Sequence, residues 1–299
     1  MRLQDINIRD PYILNQEGRY YMYGTRAATC WGKAEGFDCY TSADLTEWEG
    51  PYEIFRKPDG FWADQNYWAP ECIYYNHQFY LVTTFGTEER KGVQILVSPS
   101  PTGPFEPLTD DVVTPREWTC IDGTIYMEEG DPYLVFSHSF EDNPDGEMCM
   151  FKLSKDLKKR ESRVYTLFNA KEALWAKPVP FAEKEFGMAG DVYFTDGPSV
   201  YQMQNGKLAI LWSSWGEKGY AVGAAVSESG KLKGPWKHLD LPVFDENGGH
   251  GMIFTTNEGR IKYILHYPNE LYCEHPLILS ISDKNNTLAL CCDNYLIPG

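Results

Sequence analysis

Five stretches of the chain share one layout: an acid or histidine next to glycine or proline, an alternating apolar run, a polar turn, and a second apolar run. They are RDPYILNQEGRYYMY from Arg9, APECIYYNHQFYLVTTF from Ala69, IDGTIYMEEGDPYLVF from Ile121, TDGPSVYQMQNGKLAILW from Thr195 and GHGMIFTTNEGRIKYILH from Gly249. Alternation of apolar and polar residues around a turn rich in Gly, Asn and Glu predicts a β-hairpin. A second hairpin follows each one. It reads FDCYTSADLTEWEGPYEIF from Phe37, VQILVSPSPTGPFEPL from Val93 and YAVGAAVSESGKLKGPWKHL from Tyr220. Looser versions run from Glu147 to Phe168 and from Leu277 to Cys292. The spacing of the units is irregular but close to the roughly 40–50 residues of a propeller blade with its loops.

Two hairpins in each of five units predict an all-β protein, a five-bladed β-propeller with four antiparallel strands per blade. Closing the ring leaves only short, protected sheet edges. No linker or low-complexity stretch divides the chain, which predicts one domain over residues 1–299. Helical signal is confined to Phe168–Leu174, enough for a turn or two. Trp175–Val192, rich in Pro and Gly, reads as a long loop of the kind that carries function.

Superposing the five copies puts Asp10, Glu71, Asp122, Asp196 and His250 at one phase, the start of the innermost strand. In a propeller those starts converge on one mouth of the central channel. Four acids and a histidine brought together there repel and perturb one another, which is costly for stability and typical of a site. Paired carboxylates on a concave, aromatic-rich surface are the requirement of glycosidic bond hydrolysis, one as acid and one activating water. The aromatic share is 15%, with nine Trp. Trp68, just before Glu71, and Trp118, just before Asp122, are the first candidates for a sugar platform, with Glu71 and His250 beside them as substrate ligands. Trp31 and Trp215 fall in neighbouring loops. Arg9 and Arg26 are candidates for sugar hydroxyls or for ordinary ion pairs, and Glu147 reads as the structural start of an outer-blade strand.

The net charge of −16 argues against a nucleic-acid partner. No run of 18 apolar residues predicts a membrane span. The eight cysteines, two of them adjacent at Cys291–Cys292, suit buried thiols in a reducing compartment. The N-terminus carries no apolar leader, which predicts a cytoplasmic protein, or a secreted one if a signal had been removed.

The stretches RDPYIL, WAPE, IDGTIY, TDGPSVY and GGHGMIF follow one another at blade spacing, and in this the chain resembles glycoside hydrolase family 43. The resemblance implies cleavage of α-L-arabinofuranosyl or β-D-xylosyl linkages with inversion, in arabinan, arabinoxylan or a related oligo- or polysaccharide. It implies Asp10 as general base, Asp122 as the carboxylate that tunes the acid's pKa and orients substrate, and Asp196 as general acid. His250 matches a residue near a central calcium ion or ordered water, so it is the candidate metal ligand. A structural calcium at the channel centre is the one ion implied, and no cofactor is required. The family's usual acid is Glu, and Asp196 is one methylene shorter, a shift of about 1–1.5 Å on the scale that catalytic geometry resolves. The remaining readings are that Glu71 or Glu147 supplies the proton, that the propeller binds carbohydrate without cleaving it, or that it is a glycoside phosphorylase. Inversion predicts that the Asp10 and Asp196 carboxyl groups lie roughly 6.5–9.5 Å apart. A closed pocket would mean exo action and an open groove endo action.

Overall fold

The computed structural model describes residues 1–284 and 287–290. It consists of five four-stranded antiparallel sheets arranged as the blades of a propeller. Blade 1 is β1 (Ile8–Gln16), β2 (Arg19–Arg26), β3 (Gly36–Ser42) and β4 (Glu49–Arg56). Blade 2 is β5 (Gln65–Tyr75), β6 (Gln78–Gly86), β7 (Lys91–Ser98) and β8 (Glu106–Pro107). Blade 3 is β9 (Cys120–Glu128), β10 (Asp131–His138), β11 (Glu147–Lys152) and β12 (Tyr165–Asn169). Blade 4 is β13 (Asp196–Gln202), β14 (Leu208–Gly216), β15 (Gly219–Ser227) and β16 (Trp236–His238). Blade 5 is β17 (Gly249–Thr255), β18 (Ile261–Tyr267), β19 (His275–Lys284) and β20 (Thr287–Leu290). In every blade the first strand is innermost, and β1, β5, β9, β13 and β17 touch one another around the channel.

Five apolar clusters fill the five seams between blades. The middle strands serve two seams at once. On β14, Leu208, Ile210 and Trp212 pack toward blade 3, while Ala209 and Leu211 pack toward blade 5. A strand buried on both faces has no polar side to show, so its sequence reads as a nearly continuous apolar run. Each blade is continuous in sequence, so side chains rather than a shared sheet tie blade 5 to blade 1. Asn7 Nδ2 donates to the Glu274 carbonyl at 2.7 Å, and Asn15 Nδ2 donates to the Thr255 carbonyl at 3.1 Å.

All five innermost strands carry the same β-bulge, in which two residues oppose one on the next strand. The bulged pairs are Asp10–Pro11, Ala69–Pro70, Asp122–Gly123, Gly197–Pro198 and His250–Gly251. The first residue of each pair is left-handed, with φ of 53° at Asp10, 47° at Ala69, 56° at Asp122, 49° at Gly197 and 46° at His250. This corrects the phase drawn from sequence. Ala69 and Gly197, not Glu71 and Asp196, are the structural counterparts of Asp10, Asp122 and His250. Glu71 lies two residues further down its strand, and Asp196 one residue before its bulge. The bulge kinks each strand and turns the side chain at its start toward the channel mouth.

The predicted helical turn is a 3-10 turn at Ala170–Glu172, and Phe168 belongs to β12. The predicted long loop holds one short helix, α1 (Ala182–Phe186), closed by Gly187 at φ 68°. Of the cysteines, Cys291 and Cys292 lie outside the described residues, and the described ones are free thiols, all buried except Cys273. No described helix is long and apolar enough to cross a membrane.

Candidate active site

The channel mouth opens into a cavity of about 530 Å³ whose floor is Asp10, Asp122, Asp196 and His250. The bulges bring these side chains together, and the second strands hold the bulges. Thr25 Oγ1 accepts the Ala69 N–H at 2.8 Å, Thr84 Oγ1 that of Asp122 at 2.8 Å, and Ser213 Oγ that of His250 at 2.9 Å. His266 Nδ1 accepts the Asp10 N–H at 3.2 Å, which closes the ring of contacts from blade 5 to blade 1. The same nitrogen lies 3.3 Å from Asp10 Oδ1, and Nε2 lies 3.3 Å from Asn269 Oδ1. Burial pushes the His266 pKa down, which favours the neutral ring.

Blade 4 departs from this pattern. The Gly197 N–H donates to Asp122 Oδ2 at 3.3 Å, so a neighbouring carboxyl takes the place of a hydroxyl. Gly197 is required there. A Cβ on it would come within 2.7 Å of the His250 ring, which lies flat against this position.

His250 is the electrostatic centre. Its Nδ1 lies 2.8 Å from Asp196 Oδ1, 3.4 Å from Asp10 Oδ1 and 3.9 Å from Asp122 Oδ2. Burial alone would lower the histidine's pKa, but Asp10 and Asp196 overcome it and raise it to about 10, so the ring is an imidazolium. The cation acts in return on the acids. Burial would raise Asp10, yet His250 holds it well below the ordinary carboxylate range. Asp196 is likewise lowered, to about 2, with His250 again opposing burial. Its Oδ2 also accepts the Tyr220 hydroxyl at 2.7 Å. Its Oδ1, although close to His250 Nδ1, lacks a partner in hydrogen-bond alignment. Asp122 goes the other way: burial first, then the charge of Asp196, push it well above the ordinary range. The two carboxyls titrate as a pair that shares one proton.

Asp10 and Asp196 approach the same nitrogen, so one buried cation bridges the two acids.

Trp68, Trp31 and Trp215 line the cavity as anticipated, and so does Arg9. Trp118 does not. It stacks on His138 at 4.1 Å, and that histidine is held between Glu147 and Asp142, at 2.7 and 3.2 Å. Glu147 starts β11 and belongs to this structural brace. Glu71 does not line the cavity either, and its side chain is buried. Burial raises its pKa to about 8, and its Oε2 has no partner. Arg26 forms an ion pair with Asp38 at 2.6 Å, away from the cavity. Sequence reasoning missed Tyr220, Phe181, Phe194 and the ion pair of Lys91 with Glu141 (2.8 Å), all of which line the cavity. Tyr220 had a signal, since it opens the second hairpin of blade 4.

Asp122, Asp196 and His250 offer ligand atoms within 4.8 Å of one another. The set suits calcium poorly. Calcium takes about 6–8 oxygen ligands. These three side chains supply oxygens from two carboxyls and one ring nitrogen, well short of that number.

The sequence profile described as glycosyl hydrolases family 43 matches residues 5–281. The chain is 35% identical to the endo-arabinase of Bacteroides thetaiotaomicron VPI-5482, over 96% of this chain and 98% of that one, with a TM-score of 0.87. It is 25% identical to an endo-1,4-beta-xylanase of the same organism, over 96% and 94%, with a TM-score of 0.75. It is 24% identical to the extracellular endo-alpha-(1->5)-L-arabinanase 1 of Bacillus subtilis (strain 168) over 172 residues, 54% of this chain and 50% of that one. The chain thus matches about half the length of that curated relative.

Proposed function

The chain belongs to glycosyl hydrolase family 43 and is a glycosidase acting on O-glycosyl bonds, and we propose that its substrate is arabinan or a related polysaccharide, cleaved at α-L-arabinofuranosyl linkages. The observation that carries this reading is the group of three carboxyls around one imidazolium at the floor of an aromatic-walled cavity. The endo-arabinase likeness over nearly the whole chain favours arabinose over xylose as the sugar.

In this reading Asp10 is the base. Held ionised by His250, it takes a proton from the water that attacks the anomeric carbon. The Asp122–Asp196 pair is the acid. Asp122 stores the proton, and Asp196, whose side chain lines the cavity and is partly exposed there, faces the glycosidic oxygen. As the carbon–oxygen bond breaks, the proton passes from Asp122 through Asp196 to the departing oxygen. Asp10 is left protonated and the pair deprotonated until exchange with solvent restores both. Trp31, Trp68 and Trp215 supply apolar faces for sugar rings. Phosphorolysis is disfavoured, because the cationic side chains lining the cavity among the described residues are already paired: Arg9 with Glu274, Lys91 with Glu141, and His250 with Asp196 and Asp10.

The test is turnover of aryl α-L-arabinofuranosides, aryl β-D-xylosides and linear arabinan by the wild type and by Asp10→Asn. Arabinoside turnover that Asp10→Asn abolishes supports the reading. Equal background rates in both proteins on every substrate would end it, and preferential turnover of xylosides would reassign the sugar.

A further inference from the structure

The loops around the cavity bear on where along a polysaccharide the cut falls. In each blade the second and third strands are joined at the cavity mouth, by residues 27–35, 87–90, 139–146, 217–218 and 268–274 in blades 1 to 5. The shortest are 217–218 in blade 4 and 87–90 in blade 2. In a five-membered ring the side facing blade 4 is the seam between blades 1 and 2. Loop lengths alone would therefore leave a groove across the face, low at blade 4 and low again near blade 2. Such a groove could take the middle of a polymer.

The blade-4 end is covered. Residues 177–194, which connect blade 3 to blade 4, fold over the short 217–218 hairpin. The Lys177 N–H donates to the Trp215 carbonyl at 2.8 Å, and the Val179 N–H to the Val192 carbonyl at 2.8 Å. The Tyr193 N–H donates to the Pro144 carbonyl at 2.7 Å, which ties the segment to the blade-3 loop. Val179, Ala182 and Val192 are buried beneath it. Phe181 stands edge-on to Trp215 at 5.3 Å, and Phe186 edge-on to Phe140 at 5.0 Å. Both Phe181 and Phe186 face the cavity, Phe186 at its rim and 44% exposed. The Lys91–Glu141 ion pair bars the seam of blades 2 and 3. At the far end Trp31 is 65% exposed and meets Trp68 edge-to-face at 5.5 Å, an aromatic platform open to solvent.

We propose that the enzyme is exo-acting: the 177–194 segment stops the slot just beyond the carboxyl cluster, so a linear chain enters end-first over Trp31 and a short product is cut from its end. This rests on the arabinan reading above, and it departs from the endo action named for the two arabinan-cleaving relatives.

The experiment is a product profile at low conversion on linear arabinan and on reducing-end-labelled arabino-oligosaccharides, with viscosity followed in parallel. The expected result is one short product from the earliest time, with polymer length and viscosity nearly unchanged. A ladder of mid-length oligosaccharides with a fast fall in viscosity would overturn the proposal. No product from any arabinan or oligosaccharide would instead overturn the substrate reading and remove the basis of the proposal. The two failures are distinguishable by whether products exist. Phe186→Ala, at an exposed rim position, and Phe181→Ala then test the cause. Opening the end should shift products to longer oligosaccharides by one or more residues. An unchanged product length in both folded variants would overturn the segment's role as the stop.

Discussion

His250 Nδ1 lies 2.8 Å from Asp196 Oδ1, and the same nitrogen is 3.4 Å from Asp10 Oδ1. One buried cation therefore stabilises two anions that would otherwise be raised by burial. His250→Gln keeps a polar side chain and removes the charge. With the cation gone, the ionised form of Asp10 is less favoured, so its pKa rises. A base must be ionised to act, so the acid limb of the kcat/KM–pH profile should move up by at least about one pH unit, equivalent to roughly 1.4 kcal/mol. An acid limb that stays in place would remove His250 from this role.

Asp196→Glu restores the longer carboxyl that the family resemblance leads one to expect. The floor is packed around the shorter side chain, with Tyr220 at 2.7 Å and His250 at 2.8 Å. The added methylene displaces one of those contacts, and misplacement on this scale costs about 100-fold in rate. Asp196→Glu should therefore be slower than wild type. Asp196→Asn should lose roughly 100- to 10,000-fold on natural linkages and far less on aryl glycosides with good leaving groups. Steady-state rates across a leaving-group series measure both effects. Equal losses across the series would exclude Asp196 from protonating the leaving oxygen.

Glu71 supports a prediction about stability. Its pKa is raised by burial from 4.5 in the unfolded chain to about 8 in the fold. Between those values the folded protein binds the proton that the unfolded chain has released, so stability falls as pH rises across this window. Glu71→Gln removes the titration. The variant should gain on wild type progressively from about pH 4.5 to 8, by up to about 1.4 kcal/mol per pH unit. Denaturant midpoints at pH 5 and pH 8.5 measure it. A wild-type-minus-variant difference independent of pH would mean that Glu71 is not held protonated.

Ala69 occupies the left-handed bulge position at φ 47° with no catalytic part to play. A non-glycine residue there costs about 1–2 kcal/mol, and glycine costs about 0.5–1 kcal/mol in unfolded-chain entropy. Ala69→Gly should leave stability unchanged or raise it by up to about 1 kcal/mol, although glycine in a strand ordinarily destabilises. Urea denaturation tests this, and a loss above about 1 kcal/mol would show that the methyl's packing outweighs the strain.

Ala69 also shows why the sequence located the site but misjudged its symmetry. The five repeats are legible because every bulge needs Gly or Pro at its second position, and that punctuation sits in front of an apolar run. What marks the equivalent position is a left-handed backbone, which Ala69 and Gly197 adopt without any distinctive chemistry. The nearby charges of Glu71 and Asp196 drew the alignment off by two residues and by one. Trp118 shows a different limit. Closeness to Asp122 in sequence says nothing of side-chain direction, and its ring turns to His138. The cavity wall built by Phe181 and Phe186 was legible only as a long loop, because its shape depends on packing against Trp215 and Phe140.

Tyr220 allows the division of labour between Asp122 and Asp196 to be measured. Its hydroxyl donates to Asp196 Oδ2, while its ring stacks on His266 at 5.4 Å. Tyr220→Phe keeps the stacking and removes one hydrogen bond to a charged group, worth about 1.5–3 kcal/mol. Asp196 then holds its negative charge less readily, and its pKa rises by about one to two units. If the pair delivers its shared proton through Asp196, weaker stabilisation of the ionised pair keeps it protonated to higher pH, and the alkaline limb of kcat/KM should move up with activity retained. If Asp196 serves only as a fixed anion, its easier protonation removes a charge the site needs, and the acid limb should move up instead. The proposed mechanism expects the first result. A shift confined to the acid limb would transfer the role of proton donor to Asp122 and leave Asp196 as its counter-charge.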